Sequence, residues 1–252
     1  MTSVSASTSA SASVSASVSV FAVDGVLLDT PAAMAGLVDD IVWDLGASPT
    51  HAEVSAVLGK PLQVLFARLL GTCVHDTVTA EAVARYRRRF VTDVLGRGPA
   101  LLLPGVAEGL DRLRAAGHPL GVATSKVYAD AHALLDATGI LNRFDTVVAR
   151  NMVGRGKPHP DAVVRVLADL GARAPRSWYV GGTATDMRTA RGAGVRAVGV
   201  RRSVGSAEAL TAAGADHVVA DFASATALLL HGAPPTDRSH GTGRPQPAGA
   251  LR

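Results

Sequence analysis

At 252 residues, with 48% hydrophobic and 18% charged side chains, the chain is long enough for one large domain or a core domain carrying a smaller insert. Its single cysteine, Cys73, rules out an intrachain disulfide and points to a reducing, cytoplasmic setting; we read it as a small helix-facing hydrophobe. The net charge of +4 comes from 22 arginines and three lysines against 21 acidic residues, with no zinc-finger spacing and no basic groove interleaved with aromatics, so neither a nucleic-acid nor a membrane partner is expected.

Residues 1–17 are an uncharged Ser/Ala/Val/Thr run without a basic leader or a contiguous apolar stretch, which argues against a secretory signal and predicts disorder. Residues 18–23 are β-branched, aromatic and apolar and read as a buried strand, broken by the turn-forming pair Asp24-Gly25. A carboxylate at the C-terminal end of a buried strand stands where an open α/β sheet places its ligand site. Thr30-Pro31 predicts a helix start, with Thr30 as N-cap, and Met34, Leu37, Val38, Ile41, Val42 and Leu45 recur at helical spacing up to Gly46. Further helices are expected over 51–58, 62–70 and 80–95, so 31–98 reads as wholly helical. The cluster Arg85-Tyr86-Arg87-Arg88-Arg89 is taken as a solvated helix face.

From Leu103 the pattern alternates. A helix closed by Gly117 precedes a strand at 120–123, which ends in Thr124-Ser125-Lys126. Helices over 128–138, 160–170, 186–193 and 206–213 then interleave with strands at 146–149, 178–181, 197–200 and 217–219. Strand–helix alternation with short loops predicts an α/β fold, a doubly wound parallel sheet built from 18–30 and 99–230. Pro, Gly, Arg, Ser and Thr dominate 231–252, the composition of a disordered tail.

Four segments carry polar residues at strand ends and turns. They are Phe21-Ala22-Val23-Asp24-Gly25-Val26-Leu27-Leu28-Asp29, then Thr124-Ser125, then Arg155-Gly156-Lys157-Pro158-His159-Pro160-Asp161, and finally Gly181-Gly182-Thr183-Ala184-Thr185-Asp186, running on to Ala193-Gly194-Val195. In that order the chain resembles the haloacid dehalogenase superfamily, in its phosphoglycolate phosphatase and β-phosphoglucomutase-like branch, over about residues 18–230. The resemblance implies a Rossmann-like core with an inserted α-helical cap at 31–98.

The resemblance also implies roles. The first aspartate of the family's opening motif, its nucleophile, falls on Ala22; the second, the general acid/base, is Asp24. Thr124 and Ser125 stand where the family binds a phosphoryl oxygen, although Thr124 alone could instead cap a helix beginning at Ser125. Lys157 stands where the family neutralises phosphate charge. His159 belongs to that turn and not to a metal site, since no second histidine stands at ligand spacing. The first aspartate of the fourth motif falls on Gly182, and the second survives as Asp186. Lys60 sits in a turn that family caps turn toward the site, and could equally be an exposed turn lysine. In a chain so rich in arginine, lysine persists only at 60, 126 and 157, and an ammonium is not interchangeable with a guanidinium where geometry is tight.

The resemblance implies a Mg²⁺ held by side chains at the positions of Ala22 and Gly182 and by the backbone carbonyl of Asp24, so two carboxylate ligands are missing together and no metal or other cofactor is expected. The reading that follows is a phosphatase-like protein that binds a phosphorylated or anionic small molecule, or a protein partner, without the family's aspartyl-phosphate chemistry. The alternative is a hydrolase of small phosphomonoesters that uses Asp24 as general base. A second alternative is a repurposed, metal-independent catalyst in a biosynthetic pathway.

Overall fold

The computed structural model describes residues 17–58, 60–201 and 206–231. The low-complexity start up to residue 16 and the tail beyond His231, both read as disordered from composition, lie outside the described residues.

The central strand β1 (Ser19–Phe21) is flanked by the equally buried Val18, Ala22 and Val23. It is shorter than the apolar run that announces it. Ala22 N–H still donates to the Val180 carbonyl at 2.9 Å, but the Val23 carbonyl accepts from Val26, Leu27 and Leu28, which turns the chain out of the sheet. The remaining strands are β2 (Leu120–Ala123), β3 (Thr146–Val148), β4 (Trp178–Gly181), β5 (Arg196–Val200) and β6 (His217–Val219). All pairings are parallel, in the order β3-β2-β1-β4-β5-β6. The order reverses beside β1, so a ligand cleft is expected at the C-terminal ends of β1, β2 and β4.

Helices cover both faces of this sheet. Val166 of α7 (Asp161–Asp169) packs over Gly121, which is in register with Val20. Phe21, pointing the other way, meets the rings of Phe144 at 6.3 Å and Phe222 at 5.6 Å. Phe222 opens a terminal helix, Phe222–His231. That helix was not expected: its run of Ala, Thr and Leu is apolar almost all round and shows little periodicity.

Between β1 and β2 the described residues of 31–98 form helices and no strand: α1 (Thr30–Asp44), α2 (His51–Val57), α3 (Leu62–Leu70) and α4 (Thr77–Arg89). The last continues into a π-helical turn at Phe90–Val94 and 3₁₀ turns at Leu95–Leu101. Three expectations change here. α4 starts three residues earlier than its apolar periodicity suggests, because the Asp76 side chain accepts from Val78 N–H and caps it. Gly71 in the left-handed conformation ends α3, leaving Cys73 exposed in a loop and not on a helix. Thr30 is the first residue of α1 and not its cap; Asp29 precedes it and makes no side-chain cap bond.

The core helix α5 (Val106–Ala115) leads into β2, and α6 (Tyr128–Ala137) follows it. α6 begins after Val127 and not at Ser125, so Thr124 caps no helix. No described helix is long and apolar enough to cross a membrane.

Candidate functional site

The turn after β1 builds the first half of the site. Gly25 has φ of 69°, the left-handed region that favours glycine, and its N–H donates to the Leu28 carbonyl at 2.9 Å. This tight loop returns the chain to α1 and brings Thr30 back under Asp24. The buried Thr30 hydroxyl donates to Asp24 Oδ1. The Lys126 ammonium lies 3.2 Å from the same oxygen, with its side chain only 10% exposed. Lys126 is also 3.4 Å from the Met34 sulfur on α1. Asp24 Oδ2 has no partner among the described residues.

The strand beside it supplies Thr124, which is 2% exposed. Its N–H donates to the Val148 carbonyl at 3.0 Å, and its Oγ1 accepts from Lys126 N–H at 3.2 Å. The hydroxyl proton of Thr124 therefore remains to be donated. Ser125 is exposed, and no side-chain hydrogen bond holds it among the described residues.

The second half of the site is a buried ion pair. Lys157 Nζ lies 2.6 Å from Asp186 Oδ1 and donates to the Tyr179 hydroxyl at 2.9 Å. The Tyr179 hydroxyl is in turn 3.1 Å from both Asp186 Oδ1 and the Ala123 carbonyl, which ties β4 to β2 across β1. Asp186 Oδ2 accepts from the N–H groups of Gly182 and Thr183, at 3.2 and 3.1 Å, and from the Thr183 hydroxyl at 2.8 Å. Thr183 Oγ1 accepts Asp186 N–H, completing a capping box at the start of α8 (Ala184–Ala193).

Electrostatics fix the charge state of the pair. Burial alone would push the Asp186 carboxyl up, but the Lys157 ammonium beside it and the donors around it win and hold it below the usual carboxylate range. Burial would likewise lower Lys157; the Asp186 carboxylate overrides this and raises it. The Tyr179 phenol is pushed up, first by burial and then by Asp186. Lys157 and Asp186 are thus both charged, and Lys157 keeps one ammonium N–H uncommitted out of three.

Ala22 and Gly182 occupy different kinds of position. Ala22 is 3% exposed in the core at the end of β1. Gly181 is sterically obliged, since a Cβ there would lie 2.3 Å from Asp186 Cβ. At Gly182 a Cβ would meet nothing closer than Gly25 O and Val26 Cγ2, both at the ordinary distance of 3.6 Å. The second glycine is not required by packing.

The structure brings Asp24, Thr124 and Lys126 together, and Lys157 with Asp186, around the ends of the central strands. Lys60 lies exposed between α2 and α3 and joins neither group by a hydrogen bond or ion pair among the described residues. His159 is exposed, and its N–H donates to the Gly156 carbonyl. Sequence reasoning passed over Thr30 as a cap and Tyr179 as a strand residue. The available signal at Tyr179 was a hydroxyl inside an otherwise apolar buried strand, which needs partners.

The chain matches the haloacid dehalogenase-like hydrolase family over residues 19–200. It belongs to that family. It is 37% identical over 204 residues, covering 81% of this chain and 89% of the relative, to a protein described as probable phosphatase IndB of Dickeya dadantii (strain 3937). To phosphoglycolate phosphatase of Rhodobacter capsulatus it is 30% identical over 184 residues, 70% of this chain and 80% of that one. Among solved structures it is similar to CbbY from Rhodobacter sphaeroides in complex with phosphate, with a TM-score of 0.67, 25% identity, and coverage of 82% of this chain and 95% of that one.

The family implies Mg²⁺, and the donor set of this chain does not fit it. Ala22 and Gly182 offer no side-chain oxygen, and Asp186 is taken by Lys157, Tyr179 and Thr183, which leaves the backbone carbonyl of Asp24 as what remains of the family's ligand set. Among the described residues no group of three or more His, Cys, Asp or Glu side chains is placed to hold a metal ion. Mg²⁺ demands near-octahedral oxygen ligation with one or two carboxylates, which neither Ala22 nor Gly182 supplies.

Proposed function

We propose that the chain hydrolyses small phosphomonoesters, with Asp24 acting as general base on water in place of a covalent aspartyl-phosphate. The observation that carries this is the state of Asp24. Thr30 and Lys126 both hold Oδ1, so the carboxylate is fixed and partly exposed, and Oδ2 is left to accept a proton. The two relatives, one described as a probable phosphatase and one as a phosphoglycolate phosphatase, support the reaction class.

In this reading a phosphoryl group sits at the ends of β1, β2 and β4. It takes the Thr124 hydroxyl, the Lys126 ammonium and the uncommitted N–H of Lys157 as donors. Asp24 Oδ2 removes a proton from water as the water oxygen bonds to phosphorus. The ester P–O bond breaks, and the departing alkoxide recovers the proton from Asp24, which regenerates the base. Residues 31–98 act as a cap over a core of 18–30 and 99–230, with Ser125 and Lys60 at the edge of the opening. The ligand is a small phosphorylated molecule.

The test is turnover of Asp24→Asn. The reading expects loss of any measured hydrolysis with phosphate binding retained; persistence of the activity in that variant would overturn it. A second reading, binding without turnover, is favoured by one observation: Ala22 has no nucleophilic oxygen where the family carries its nucleophile. Native protein that binds inorganic phosphate but releases none from any phosphomonoester would establish that reading instead.

A further inference from the structure

Two residues of α1, one helical turn apart, reach the two halves of the Asp24–Lys126 pair. The Thr30 hydroxyl donates to Asp24 Oδ1, and the Met34 sulfur lies 3.4 Å from Lys126 Nζ, within reach of an ammonium N–H. Positions i and i+4 stand on one face of a helix, so a single strip of α1 touches both charges. The charges themselves are 3.2 Å apart. The backbone of Lys126 is tied as well: its N–H donates to Thr124 Oγ1, and its carbonyl accepts from Arg150 N–H at 2.9 Å.

Met34 does more here than its apolar spacing asks of it. It is partly buried against the hydrophobic core, a place that leucine would fill about as well. What leucine lacks is the sulfur, a polarisable acceptor. A lysine side chain is long and flexible, and ordering one when a ligand arrives costs affinity. The Lys126 ammonium is held without any ligand: its side chain is only 10% exposed, with the Asp24 carboxylate and the Met34 thioether both against it. The sulfur carries no net charge, so it fixes the ammonium without cancelling its positive charge, as a second carboxylate would.

We propose that Met34 is a positioning residue for phosphate binding: its sulfur holds the Lys126 ammonium beside Asp24, so that an N–H of that ammonium meets the phosphoryl group already ordered. This rests on the phosphate-site reading above and deepens it, giving a residue of the helical segment 31–98 a defined part in the site. Met34 touches no ligand and moves no proton; it acts through Lys126 alone.

The experiment is a double-mutant cycle read by calorimetric titration with inorganic phosphate, using native protein, Met34→Leu, Lys126→Gln and the two substitutions combined. Met34→Leu nearly conserves volume, so its thermal melting should stay close to native. Met34→Leu is expected to bind phosphate about threefold to tenfold more weakly than native, the scale of ordering one long side chain. In the Lys126→Gln background the same substitution should change affinity by less than about twofold, because the ammonium it positions is gone. A purely structural role would weaken both backgrounds alike. Unchanged affinity in Met34→Leu, or an equal loss in both backgrounds, would overturn the role of Met34 and leave the phosphate site standing. Failure of native protein to bind inorganic phosphate would instead remove the phosphate site itself, and the role of Met34 with it.

Discussion

Lys126 and Asp24 meet at 3.2 Å, an ammonium from the end of β2 against the carboxylate that follows β1. The pair joins two neighbouring strand ends and fixes a positive charge beside Asp24.

Replacing Lys126 with glutamine should therefore affect binding more than folding. Asp24 is 37% exposed on its side chain, so the pair is worth about 1 kcal/mol or less to stability. Phosphate affinity should fall about tenfold, the scale of one lost charge-assisted hydrogen bond. Thermal melting beside phosphate titration checks both parts; a large loss of melting temperature with unchanged phosphate affinity would reverse the assignment.

The buried pair should behave in the opposite way. Side chains of Lys157 and Asp186 are only 8% and 4% exposed, and removing one partner of such a pair costs about 3–5 kcal/mol. Asp186→Asn should lower stability by an amount of that order in urea unfolding. A variant as stable as the native protein would mean that Lys157 finds another partner.

The same pair sets a pH window. Asp186 has its folded pKa depressed, so its contribution is present above the unfolded carboxylate value near about 3.9 and is lost as pH falls through the lower folded value. Lys157 has its folded pKa raised, so its contribution is complete below the unfolded value of about 10.4 and is lost as pH rises toward the folded value. Stability from this pair should be flat from about pH 5 to pH 9. The acid and alkaline losses that flank this window should shrink in the double variant Lys157→Met/Asp186→Leu, followed by denaturant midpoints across pH.

The two adjacent glycines after Val180 should respond differently to alanine. Gly181→Ala drives a Cβ to 2.3 Å from Asp186 Cβ and should cost about 1–3 kcal/mol or more. Gly182→Ala meets nothing closer than 3.6 Å and should stay within about 1 kcal/mol of native. Unfolding free energies of the two single variants decide this, and equal costs would contradict the geometry.

Much of this architecture was legible from residue types. Alternating apolar runs and helical periods placed the six strands, and the Asp24-Gly25 break located the turn that carries Asp24. The terminal helix was hidden because its Ala- and Leu-rich run lacks a polar face. Thr30 looked like a cap because Thr before Pro usually is one, and only the return of the Asp24 loop diverts its hydroxyl to the carboxylate. Tyr86 stood inside an arginine run that does face solvent at Arg87 and Arg88, so its inward turn could not be separated from its neighbours by composition. The partners of Tyr179 come from the end of β2, the loop before α7 and the first turn of α8, a meeting that no local pattern encodes.

Release of phosphate from glycerol 3-phosphate, with and without Mg²⁺, tests the central claim most directly, using native protein, Asp24→Asn and Ala22→Asp/Gly182→Asp. The account predicts slow native hydrolysis that is indifferent to Mg²⁺ and absent in Asp24→Asn. The double variant should gain Mg²⁺ dependence and turn over about 10²–10⁴-fold faster, since restoring a nucleophile recovers most of what its absence costs. Native hydrolysis that requires Mg²⁺ and survives Asp24→Asn would contradict it.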